Sequence, residues 1–156
     1  TQIDIKMGTL SKAISGYGGY VAGRKTLIDF FKTSARSLMV STALPPATVA
    51  AANAAIQLIL NGEIDTDTAI KNAERFCKKV GLATPKTPIV PLILGDAEKA
   101  LEAAKTLEEE GYLVSAIRPP TVPEGTARLR FTFCNEHNDA DIDAMAEIVT
   151  KQGWIS

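Results

Sequence analysis

The stretch DIKMGTLSKAISGYGGYVAG, residues 4–23, sets Lys12 in a glycine-rich turn between two short apolar runs. Residues 2–7, QIDIKM, alternate polar and apolar side chains and predict a strand. Residues 17–23, YGGYVAG, predict a second short strand with glycines where another group approaches the backbone closely. Between the two, Gly8, Gly16, Gly18 and Gly19 lack a Cβ, so a flat ligand and a neighbouring backbone can come near without a clash. Thr9 and Ser11 stand three and one residues before Lys12 and offer hydroxyls to a phosphate or a ring oxygen. A lysine in a turn is ordinarily a solvated charge. In a confined site it gives up its proton more readily, and the free amine can attack a carbonyl as a Schiff-base nucleophile.

Outward from that turn, RKTLIDFFKTSAR gathers Leu27, Ile28, Phe30 and Phe31 on a helical stripe. Pro45 and Pro46 open a second helix, ATVAAANAAIQLILN, which stops at Gly62. Asp65 or Thr66 caps a third, DTAIKNAERFCKKVG, which ends at Gly81. The proline-punctuated segment LATPKTP, 82–88, is the expected domain boundary. Beyond it IVPLILGD reads as a mostly buried strand. DAEKALEAAKTLEEEG reads as an amphipathic helix with Ala97, Leu101, Ala104 and Leu107 facing inward. YLVSAI is a strand, RPPTVPEG a stiff loop and TARLRFTFC an alternating strand. DADIDAMAEIVTKQG is a last helix with acidic residues in its first turn, where the helix dipole favours them. The pattern predicts an α/β layer with helices on one face. The expected organisation is residues 1–44 as the trailing part of a larger domain, 45–81 as linking helices and 82–156 as a small C-terminal domain.

The totals exclude several classes. The 156 residues are 46% hydrophobic and 22% charged with a net charge of −1, as in a globular chain that can bury a core. No basic stripe invites nucleic acid. No run approaches the roughly 20 apolar residues of a membrane helix, and ATVAAANAAIQLIL is broken by Asn53 and Gln57. Cys77 and Cys134 lie far apart in no metal spacing and read as small buried or half-buried thiols. With His137 as the single histidine, no metal site is expected and that ring reads as structural.

Residues 4–23 resemble the cofactor-lysine segment of the α-oxoamine synthases, pyridoxal-phosphate (PLP) enzymes of the aspartate-aminotransferase fold, whose pattern runs roughly D-I-x-x-G-T-[LF]-[SG]-K-A-x-G-x-x-G-G. Two later blocks, in the same order and spacing, extend the likeness over essentially the whole chain. STALPP, 41–46, resembles the segment before the family's interdomain helix, and IRPPTVPEGTARLRFTF, 117–133, resembles its carboxylate-binding segment.

The resemblance implies the C-terminal portion of a fold type I PLP enzyme. Lys12 would carry the cofactor and take a proton from the amino acid's Cα, and Thr9 would contact the cofactor phosphate. Arg130 would grip the amino-acid carboxylate with a planar fork that fits both oxygens. Arg128 lies two residues away on the same strand face, so alternation alone does not choose between them. Thr121 would line the acyl-thioester channel, Arg118 is a candidate for the distal carboxylate of the acyl chain, and Ser41 and Thr42 for a phosphate contact across a dimer.

The IRPP loop most resembles members that condense L-alanine with pimeloyl-CoA or a pimeloyl-carrier protein in biotin biosynthesis. Siblings that use glycine with a shorter acyl thioester are the alternative, and an isolated folding and dimerisation domain the non-enzymatic one. Such enzymes are expected to be cytoplasmic homodimers. Their aspartate partner of the ring nitrogen and ring-stacking residue precede the lysine, so the chain reads as the back part of a longer enzyme, inactive by itself.

Overall fold

The structure, a computed structural model, describes residues 3–155. It divides into two compact units between Ile64 and Asp65.

In the first unit, β1 (Ile5–Thr9) and β2 (Gly19–Gly23) form an antiparallel hairpin in which Ile5 faces Gly23 and Thr9 faces Gly19. The strand expected over 2–7 is therefore shifted along the chain, and residue 2 lies outside the described residues. Helices α1 (Lys25–Ser34), α2 (Arg36–Met39) and α3 (Pro46–Leu60) follow. Pro46 occupies the first turn of α3, where a missing N–H costs no intrahelical bond. The short α2 has no counterpart in the periodicity. Four residues are too few to show a 3.6-residue repeat.

The second unit holds α4 (Thr68–Val80), β3 (Ile89–Gly95), α5 (Ala97–Glu109), β4 (Ser115–Ile117), β5 (Ala127–Thr132) and α6 (Asp139–Lys151). The sheet is antiparallel with β5 in the middle, in the order β3-β5-β4. Each helix begins and ends on local chemistry. The Asp65 carboxylate accepts the Asp67 and Thr68 N–H groups before α4, at 2.7 and 3.3 Å. Asp96 accepts from Lys99 N–H and Asn138 from Asp141 N–H, both at 2.9 Å. Gly81, at φ 76°, ends α4 in the left-handed region.

Strand alternation sorts the sheet into two faces. Val90, Leu92, Ala127, Leu129 and Phe131 are buried on one face. There Val90, Leu92, Leu129 and Phe131 join Phe76 and Cys77 of α4, Ala103 and Leu107 of α5, and Ile142, Met145 and Val149 of α6 in one core, and the tilted rings of Phe76 and Phe131 meet with centroids 4.7 Å apart. The opposite face carries Ile89, Pro91 and Ile93, then Arg128 and Arg130, then Ser115 and Ile117.

Three expectations are revised. The buried stripe of α5 is Ala100, Ala103 and Leu107, while Leu101 is 43% exposed. Cys77 is buried but Cys134 is exposed. The units do not part at the 82–88 break. The buried face of α4 packs against α6 and β3, which draws 65–81 into the second unit.

Charge also ties α4 to α6. Arg75 donates Nε and Nη2 to the two carboxylate oxygens of Asp143 at 2.6 and 2.7 Å and Nη1 to Asp139 at 2.7 Å, while Lys79 stands 2.9 Å from Asp143. The Arg75 fork, aided by Lys79, holds the Asp143 carboxyl well below the usual carboxylate range. A depressed folded-state value contributes stability above the unfolded value and loses it as pH falls through the folded one. We therefore expect the difference in urea midpoint between wild type and Asp143→Asn to be largest near neutrality. It should narrow as pH drops below about 4.

Candidate functional site

Lys12 sits at the tip of a loop that backbone bonds close from below. Leu10 N–H donates to Gly18 C=O at 2.9 Å, Gly16 N–H to Leu10 C=O at 2.7 Å, and Ser15 N–H to Lys12 C=O at 2.8 Å. Leu10 is buried beneath the loop, while Thr9, Ser11 and Lys12 are exposed. Among the described residues Lys12 forms no ion pair, which leaves its amine available to a ligand. Glycine makes the loop possible. A Cβ on Gly8 would lie 2.6 Å from the Tyr20 ring, which spans the hairpin opposite it. Gly18, at φ 100°, takes a conformation that side chains rarely allow.

Ser15 adopts φ 52° without that freedom. A left-handed residue bearing a Cβ costs about 1 kcal/mol or more. Ser15→Gly is expected to stabilise the first unit by about that amount, read as a rise in denaturation midpoint, whereas the β-branched Ser15→Val should lower it.

In the second unit Arg130 and Thr121 belong to one hairpin, β4–loop–β5. Arg130 is exposed at the middle of β5, on the face away from the helices. Its neighbour Arg128 is half-buried and commits its Nε to Thr126 C=O at 2.9 Å. Arg130 has no ion pair or side-chain hydrogen bond among the described residues. The structure thus separates two arginines that strand alternation leaves equivalent, and Arg130 is the uncommitted fork. Thr121 is exposed and donates its N–H to Arg118 C=O at 3.1 Å, closing a turn through Pro119 and Pro120. Thr126 Oγ1 donates to Pro123 C=O at 2.7 Å and pins the other end of the loop. Arg118, Ser41 and Thr42 are all exposed.

His137 is held rather than presented. Its Nδ1 accepts from Cys134 N–H at 3.4 Å, its ring meets Phe133 edge-on, and its carbonyl, with that of Cys134, accepts from buried Asn72. A cleft of about 470 Å³ opens beside it, lined by residues 110–114 and 131–133; none of the expected site residues lines it.

The aminotransferase class I and II profile matches residues 1–149. The chain belongs to that family. A relative from Beijerinckia indica, an 8-amino-7-oxononanoate synthase, is 52% identical over 150 residues, covering 94% of this chain and 38% of the relative. Among solved structures, an SPT carrying PLP aligns with TM-score 0.83 at 28% identity, over 98% of this chain and 41% of that one. An 8-amino-7-oxononanoate synthase from Francisella tularensis aligns with TM-score 0.78 at 26% identity, over 96% and 45%. The chain thus spans about two fifths of the length of the proteins it matches. The α-oxoamine synthase likeness and the fold type I α/β architecture hold at the level of both sequence and structure. Among the described residues no helix is long and apolar enough to cross a membrane.

Proposed function

We propose that the family enzyme carrying this chain condenses L-alanine with a pimeloyl thioester, on coenzyme A or a carrier protein, and releases the free thiol of that carrier, carbon dioxide and 8-amino-7-oxononanoate. The observation that carries this reading is the exposed Lys12 amine on its glycine-built loop, with Thr9 at the adjoining strand end. An amine beside neutral hydroxyls is a donor set that fits pyridoxal phosphate: Lys12 would hold the aldehyde and Thr9 would meet the phosphate. When bound, the cofactor supplies an electron sink for the substrate's Cα.

The chain's own residues do the rest. Lys12 Nζ takes the Cα proton. The uncommitted Arg130 fork holds the amino acid's carboxylate and fixes rotation about Cα, which decides the bond that breaks. Thr121, in a loop closed at both ends, borders the acyl chain. In this reading residues 1–44 are the trailing part of the cofactor domain. The apolar side chains the hairpin exposes, among them Met7, Tyr20 and Val21, support its joining a larger sheet. The working enzyme is a cytoplasmic homodimer, and residues 1–156 do not turn over substrate by themselves.

The test compares turnover of the full-length enzyme with L-alanine plus pimeloyl thioester against glycine plus acetyl or succinyl thioester. The first pair is expected to react. Reaction of the glycine pair alone would transfer the chain to a sibling synthase, and reaction of neither would defeat the assignment.

A further inference from the structure

We propose that Arg128 is a positioning residue for the loop that carries Thr121, and that the linked bonds Arg128–Thr126–Pro123 set how well the enzyme holds its acyl thioester. This rests on the reading of Thr121 given above and extends it to the side chains that hold its loop. Arg128 Nε donates to Thr126 C=O at 2.9 Å, and Thr126 Oγ1 donates to Pro123 C=O at 2.7 Å.

Residues 118–126 have few ways to hold themselves. Pro119, Pro120 and Pro123 lack an N–H. Two turns close within the loop, by Thr121 N–H to Arg118 C=O at 3.1 Å and by Thr126 N–H to Pro123 C=O at 3.2 Å. Neither bond reaches beyond the loop. Among the described residues, Arg128 is the one side chain outside the loop that hydrogen-bonds to it. Thr126 therefore joins two links. Its hydroxyl and N–H hold Pro123, and its carbonyl is held from β5. Fixing that carbonyl fixes the peptide plane by which the loop meets the strand.

The strand suits the task. Ala127 and Leu129, on either side of Arg128, are buried against the helices, so the backbone that bears the guanidinium is anchored. The cross-strand partners of Arg128 are Ile93 and Ile117, whose side chains offer no acceptor. Arg128 is half-buried, where an unmade bond from a charged donor is costly, and the Thr126 carbonyl is the acceptor it takes.

The experiment uses the full-length holoenzyme with L-alanine and pimeloyl-CoA. Thermal midpoints check that each variant is folded. Glutamine separates donor from charge, because its amide nitrogen stands as many bonds from Cα as arginine Nε but is neutral. Arg128→Met, with neither donor nor charge, is expected to raise KM for pimeloyl-CoA about tenfold, the scale of one hydrogen bond to a charged group. It should leave kcat, and L-alanine binding read by the cofactor's absorbance, within about twofold. Arg128→Gln should keep KM near wild type. Thr126→Val should act as Arg128→Met does, and the double variant should raise KM no further than either alone, because both break one chain of bonds. If Arg128→Gln behaves like Arg128→Met, charge rather than positioning is at work; if it weakens L-alanine, the guanidinium meets the substrate itself. Either result overturns the proposal, as do additive effects of Arg128→Met and Thr126→Val. Thr121→Trp, which narrows the channel, tests the reading beneath. If it raises KM for pimeloyl-CoA while Arg128→Met does not, the role of Arg128 falls and the reading of Thr121 stands. If it leaves KM unchanged, both fall together.

Discussion

Replacing Lys12 by alanine in the full-length enzyme is expected to lower turnover about a thousandfold or more, because one amine both retains the cofactor and moves the Cα proton. Stability should hardly change. The side chain is exposed and makes no ion pair among the described residues, and the loop beneath it is held by backbone bonds from Leu10, Gly16 and Ser15 that alanine keeps. Lys12→Arg separates amine from charge. Arginine retains the positive charge but does not deprotonate, so it should be as inactive as alanine. Two readouts make the result specific: steady-state turnover, and borohydride-fixed pyridoxal phosphate on the peptide containing residue 12. If either variant kept a tenth of wild-type turnover, another group would be the base and the functional reading of residues 4–23 would be wrong.

That loop was legible in the sequence because its logic is local. Glycines mark where a Cβ cannot fit, hydroxyls mark donors, and the lysine stands among them. The Gly8–Tyr20 approach and the buried Leu10 are the geometry that local logic implies. The start of α4 was legible for the same reason, since Asp65 acts on N–H groups within three residues of itself.

What escaped depends on distant partners. Helix α5 is tiled with alanines, so several stripes satisfy its apolar pattern, and only contact with the sheet selects Ala100, Ala103 and Leu107 over Leu101. Helix α4 precedes a proline-rich break that looks like a boundary. Its allegiance is decided by Phe76 against Phe131 and Arg75 against Asp143, contacts between residues more than fifty positions apart in sequence.

Phe76→Ala is the substitution expected to cost the second unit most, about 3–5 kcal/mol, against the 5–15 kcal/mol that holds a typical domain. The ring is fully buried and packs on Phe131 at 4.7 Å and Phe133 at 5.4 Å, so its removal takes the central member from an aromatic cluster between α4 and β5. The hole is flanked by side chains already engaged on other sides, which limits how far it can collapse. Phe76→Leu, which refills much of the volume, should lose far less, and Leu101→Ala, at a half-open position, less than about 1 kcal/mol. Urea midpoints of the three variants measure this order, and a loss for Phe76→Ala no greater than for Leu101→Ala would refute the core as described. The substitution also reaches the site. Phe131 adjoins Arg130 on β5 and points to the opposite face, so the aromatic cluster is what anchors the strand beneath the guanidinium. Under conditions where Phe76→Ala remains folded, its affinity for L-alanine should therefore fall while that for L-alaninamide changes less, since what loosens is the grip on the carboxylate rather than the hold on the amine.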